Sequence, residues 1–310
     1  MTRRGLALFA AMCVIWGIPY LLIRVAVLEI SPATLVFLRT AIAFVILVPF
    51  ALRRGGWRAL ATRWPALLVF SAVEVGGPWF LLSNAEQHIS SALSGLLISA
   101  VPLVGVVIAT ASGNREHLGL ASVAGFLLGV TGVGLIVGLD LGGTDVTALI
   151  EIALVVIGYA TGPAILTRFL VGVPSLTVNS AVLALVAVAY APVAALTWPS
   201  AVPSAQVFGA VAVLAIVCTA LAFILFFALI AEIGPVRATV ITYVNPAVAA
   251  LLGALVLHES LTIWMGIGFA LVLAGSALAT RKAKPSPRTA RQADEGREGE
   301  PVTSGSSTAR

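Results

Sequence analysis

Charge is what this sequence has least of. Of its 310 residues only 10% are Asp, Glu, Lys or Arg, against 60% hydrophobic and a mean hydropathy of +1.08. An ordinary soluble domain carries about 25% charged residues, so a water-soluble globule is excluded. Cysteine is almost missing too: Cys13 and Cys218 lie inside apolar runs with no ligand spacing around them, and they read as small packing groups rather than redox or metal residues. The three histidines, His88, His117 and His258, sit at the ends of apolar runs. There is no His-Glu-x-x-His motif, no paired-acid motif and no Gly-x-x-x-x-Gly-Lys phosphate loop. These absences argue against a membrane-embedded enzyme and against direct ATP drive, and no cofactor, metal or catalytic residue is expected. A channel would show a carbonyl-filter signature or a charged ring, and neither is visible.

What the chain does have is apolar runs of spanning length. A membrane helix needs about 20 predominantly apolar residues. The sequence predicts ten, over 5–24, 32–52, 65–83, 89–111, 118–139, 147–167, 175–197, 206–231, 236–257 and 262–280. Thr2-Arg3-Arg4 and the run after it have the outline of a signal peptide, but no A-x-A cleavage pattern follows, and the segment reads as a retained first helix.

In this ten-helix scheme sixteen of the eighteen Lys and Arg residues fall on one side, only Arg24 on the other, and Arg39 within a helix. That asymmetry predicts cytoplasmic termini in the cell (plasma) membrane and accounts for the net charge of +5 without any nucleic-acid partner. Trp57 and Trp64 on one side, and Trp79, Trp198 and Trp264 near the other, suit aromatic belts. Residues 281–310, polar and charged, are expected to be a disordered cytoplasmic tail.

An internal repeat organises the chain. At an offset of 144 residues Pro19 falls on Pro163, Arg24 on Arg168, Ser31 on Ser175 and Pro102 on Pro246. With a one-residue slip Glu116 meets Glu259, Leu118 meets Leu261, Gly125 meets Gly268 and Gly132 meets Gly275. Five helices per half is an odd number, so the second half enters the membrane in the opposite sense. The expected fold is an all-α integral membrane protein of ten transmembrane helices in two inverted five-helix repeats, 5–139 and 147–280, a geometry that opens to either side and that a receptor or scaffold would not need.

The residues of these repeats also carry a resemblance. Thr242-Tyr243-Val244-Asn245-Pro246, Gly253, His258-Glu259-Ser260-Leu261 and the Gly268–Gly275 helix resemble the second repeat of EamA-type transporters in the drug/metabolite transporter superfamily. Ala100-Val101-Pro102, Glu116, Leu118, Gly125 and Gly132 repeat the pattern loosely, and 32–43 with Arg39 resembles the family's second helix. The resemblance implies a bundle around a central cavity, export or import of metabolites or amphipathic compounds, and no nucleotide-binding domain. Glu74, midway along the third helix, departs from that general pattern.

Several residues stand out as candidates. Pro19 and Pro163, and likewise Pro102 and Pro246, are matched helix interruptions, which either mark a midplane site or are plain kinks. Glu74 is an acid at mid-membrane depth, expensive unless it faces water or a partner. It is expected either to work in a cavity, as proton site or counter-charge, or to pair statically with Arg39. Arg39, near the outer end of its helix, has snorkelling to the interface as its simpler reading. Trp16, Tyr20, Trp79, Tyr159, Tyr243 and Asn245 are expected to line a pocket for an aromatic or amphipathic solute or, more simply, to pack. Glu151 reads as interfacial, and Glu116 and Glu259 as acids at helix starts. The Gly125/Gly129 and Gly134/Gly138 spacings read as close helix contacts. The partners expected are a small-molecule substrate, the lipid bilayer, a proton as coupling ion and a second copy in a homodimer.

Overall fold

The computed structural model describes residues 2–111, 120–138 and 145–280. They form ten helical rods. Eight are long and apolar enough to cross a membrane: Arg3–Ala26, Pro32–Arg54, Trp64–Ala85, Ser91–Ile108, Leu120–Gly138, Val146–Phe169, Ser175–Leu196 and Ala205–Ile233. The ninth and tenth, Ile241–Val256 and Ile263–Ala279, are shorter and apolar. The expected tail from 281 onward, the turn at 139–144, and Glu116 and His117 lie outside the described residues.

The rods begin where the sequence supplies caps. The side chains of Thr2, Ser31, Ser90, Asp145, Ser204 and Thr262 each accept a hydrogen bond from a backbone N–H two or three residues on, satisfying a donor the helix cannot. Gly55 and Gly234, at φ of 71° and 82°, end the second and eighth rods in a conformation that side chains with a Cβ resist. Outside, the molecule is greasy: Leu120 is 91% exposed and Leu196 87%, a surface suited to hydrocarbon.

The fifth and tenth rods pack most extensively, and the second and seventh come next. Between apolar helices in lipid the drive is close contact rather than burial from water, and small residues permit it. A Cβ on Gly125 would sit 2.7 Å from the Gly275 carbonyl, and one on Gly132 2.6 Å from the Gly268 carbonyl. Low numbers in one rod meet high numbers in the other, so the two run antiparallel. The second and seventh rods do likewise, with Ser31 Oγ 2.7 Å from Thr197 Oγ1 at one end and Thr177 Oγ1 donating to the Gly55 carbonyl at the other. Gly134 and Gly138, expected to make close contacts, meet nothing within 4 Å of a Cβ position; they face away from the seam that Gly125, Gly129 and Gly132 occupy.

The prolines do not behave as matched pairs. Pro19 opens a new helix after a break at Trp16–Ile18, and Pro102 lies at the second position of Val101–Ala111 after a break at Ser99–Ala100. Pro163 and Pro246 sit inside the unbroken helices Val146–Phe169 and Ile241–Val256. The sequence expectation of paired interruptions holds in the first half only.

Two further irregularities carry no proline. The third rod widens into a π-helix over Ser71–Gly76, and the eighth does so over Ile216–Leu221. These segments are 145 residues apart, within one residue of the repeat offset. Such widened turns are uncommon and often stand at functional sites.

Candidate functional site

Arg39 is where several rods meet. Its residue is 7% exposed, so the long side chain points inward and does not snorkel to the interface as expected. Nε donates to the Thr219 hydroxyl at 2.9 Å, within the π-segment of the eighth rod, and the guanidinium lies 3.6 Å from the centre of the Trp79 ring on the third rod. Trp79 is thus a buried platform rather than part of an aromatic belt. Tyr20, Tyr159, Cys218 and Glu86 lie within electrostatic reach of Arg39, and Tyr20 packs on Gly95 of the fourth rod.

The expected Arg39–Glu74 ion pair does not form. Among the described residues the one ion-pair contact is His88 Nδ1 to Asp145 at 3.9 Å. Glu74 lies in the π-segment of the third rod and packs on the sixth, where a Cβ on Gly162 would overlap its Oε2 at 1.7 Å. Its side chain is half-buried, and Oε2 is fully enclosed without a hydrogen-bond partner. Tyr159, on the sixth rod, lies within electrostatic reach of both Glu74 and Arg39. Tyr190 donates to the Gly76 carbonyl at 2.9 Å and steadies the far edge of the same π-segment.

Breaking a helix in lipid frees carbonyls that need protein partners. At the first-rod break Gly17 N bonds the Val14 carbonyl, leaving that of Cys13. With its amide turned so that nitrogen faces the surrounding acceptors, Asn245 donates to Cys13 O at 3.1 Å and to Ile241 O at 2.9 Å. Asn245 is therefore a bracket between the ninth and first rods rather than a free lining residue. A Cβ on Gly17 would meet Val248 at 2.5 Å, which fixes how closely the rods approach. Trp16 packs against Phe226 with ring centres 4.7 Å apart and planes tilted by 46°, and Tyr243 is half-buried on the ninth rod.

The end of the bundle near Arg24 is acidic. Arg24 donates to the backbone carbonyl of Glu86, which ends the third rod. Glu86 is 0% exposed and neither carboxyl oxygen has a partner, while the nearby Ser94 hydroxyl donates to Ser90 O. Burial first, and then the neighbouring Glu259 carboxylate, push the Glu86 carboxyl well above the ordinary range. Glu259 caps another helix rather than its own: its oxygens accept from Ser91 N and Ala92 N at 2.9 Å each, joining the ninth rod to the start of the fourth. Glu151 accepts from Asn84 at 2.7 Å, with Oε2 buried and unpartnered.

Sequence reasoning missed Glu86, Thr219 and both π-segments. Glu86 lies in the polar run Asn84-Ala85-Glu86-Gln87-His88, which looks like a turn, and only packing buries it. The π-segments themselves contain no proline, so nothing of that kind marks them in the sequence. A cavity of about 240 Å³ lined by Ile30, Thr34, Leu38, Trp198, Pro203 and Phe208 lies beside the second rod, apart from the predicted residues.

Comparison with known proteins now adds the family. A solved structure titled only "Crystal structure of protein" resembles the chain with a TM-score of 0.63 at 23% identity, covering 95% of this chain and 100% of that one, which speaks to fold. No curated protein matches it. The family model for the EamA-like transporter family matches twice, at residues 3–138 and 146–281, once for each half. With both halves covered and apolar helices throughout, the chain belongs to the EamA-like transporter family of the drug/metabolite transporter superfamily and is an integral membrane protein.

Proposed function

We propose that this chain is a secondary transporter that exports small metabolites or amphipathic compounds across the cell membrane by alternating access. In this reading all ten rods span the bilayer, the halves are inverted, and both termini with the arginine-rich turn at 53–63 are cytoplasmic. The solute passes beside Trp16, Tyr20, Arg39, Glu74, Trp79 and Tyr159, and a proton bound at Glu74 is the coupling ion. A homodimer is a further expectation.

One observation carries it. Rods that the repeat makes equivalent, the fifth with the tenth and the second with the seventh, pack antiparallel. Yet the first half is broken at Pro19 and Pro102 while the second runs straight through Pro163 and Pro246. Equivalent units in unlike conformations suit two halves that exchange shapes.

The test uses single cysteines at Ser94, near the acidic end, and Thr242, near the opposite end, with Cys13 and Cys218 replaced by alanine. In proteoliposomes a transported solute should change their accessibility in opposite directions. Parallel opening of both ends, or an ohmic leak, would favour a channel instead.

A further inference from the structure

Arg39 has more donors than it uses. Nε is committed to Thr219 and the guanidinium face rests on Trp79. Among the described residues the two terminal nitrogens have no hydrogen-bond partner and no ion-pair partner. Tyr20, Tyr159 and Cys218, which lie within electrostatic reach, are neutral side chains, and none is hydrogen-bonded to Arg39. The one acid within reach, Glu86, is wholly buried at the end of the third rod and makes no bond to Arg39.

A buried cation in a membrane protein is costly unless something negative meets it. The part of Arg39 left over is a two-nitrogen fork, held in orientation by Thr219 and Trp79, and that fork matches the two oxygens of a carboxylate. Glu74 does not fill this role: it packs on Gly162 of the sixth rod and makes no ion pair with Arg39.

Resting on the transporter reading, we infer that Arg39 is the anchor for an anionic group of the solute, and that the substrate class is a carboxylate with an aromatic or apolar body. Trp79, Tyr20 and Tyr159 supply the matching apolar and aromatic walls.

The experiment compares three probes of one shape on the purified full-length protein: benzoate, neutral benzyl alcohol and benzylammonium. Tryptophan fluorescence and thermal unfolding report binding. Benzoate should bind at least about tenfold more tightly than the other two, because a charge-assisted hydrogen bond is at stake. Arg39→Lys, which keeps charge but loses the fork, should weaken benzoate by about tenfold, and Arg39→Gln should abolish the preference. The order of the three probes on the unmodified protein needs no variant, so a poorly folding Arg39→Gln leaves the inference testable. Equal binding of all three overturns it. So does a benzoate preference unchanged in Arg39→Lys, or tighter binding of benzylammonium that disappears in Glu74→Gln. Benzoate binding at Arg39 without saturable benzoate flux into proteoliposomes would defeat the transporter reading alone. Saturable flux indifferent to solute charge would defeat the anchor alone.

Discussion

The Nε of Arg39 donates to the hydroxyl of Thr219 at 2.9 Å, joining residues 180 positions apart in opposite halves of the chain. Removing the acceptor with Thr219→Val should lower the unfolding free energy by about 1 kcal/mol, the usual scale of a hydrogen bond between membrane helices. It should also loosen the guanidinium on Trp79 and so weaken solute binding. Thermal unfolding in detergent and fluorescence titration would check both, and unchanged binding would show that Thr219 does not hold Arg39 in place.

Glu74→Gln keeps the shape of the side chain and removes its charge. Because Glu74 and Arg39 form no ion pair, the variant should express and insert normally and need no rescue by Arg39→Gln. Transport and its response to pH should be lost. Collapse of expression, reversed by the double substitution, would restore the static pair; full transport would leave Glu74 without a role.

The glycine seam makes a graded prediction. Gly125→Ala or Gly275→Ala drives a methyl into facing backbone, at 2.7 Å and 2.5 Å from carbonyl oxygens, and should destabilise by about 1–3 kcal/mol or more. Gly134→Ala meets nothing and should be neutral or stabilising by up to about 1 kcal/mol, since alanine is the better helix former. Equal effects at the two kinds of site would mean that the fifth and tenth rods do not pack as described.

Glu86 should make the fold less stable as pH rises. Its carboxyl, raised above the ordinary range by burial and by Glu259 with Arg24 partly opposing, holds a proton in the fold that the unfolded chain releases. Stability from this group is complete below the ordinary carboxylate range and declines as pH climbs toward the native value. Glu86→Gln should flatten that decline in thermal unfolding measured across pH. A slope identical to that of the unmodified protein would mean that Glu86 is already ionised.

Much of this molecule was legible in the sequence because lipid imposes simple rules. Apolar runs of spanning length located the rods, and the offset joining Pro102 to Pro246 and Gly125 to Gly268 located the halves. What the sequence hid was side-chain direction. Arg39 looked free to reach the interface because depth was readable and facing was not. Asn245 looked like pocket lining, since nothing local reveals that its amide meets a carbonyl 232 residues earlier, freed by the break before Pro19. Pro163 and Pro246 look just like Pro19 and Pro102 in sequence; whether a proline breaks its helix depends on the neighbours that take up the freed carbonyls.

The widened turns at Ser71–Gly76 and Ile216–Leu221 tie the two halves together at the level of single turns. Relative to a regular α-helix, a π-turn accommodates one inserted residue. With one in the corresponding rod of each half, the irregular turn is a property of the repeating unit and not of a single helix.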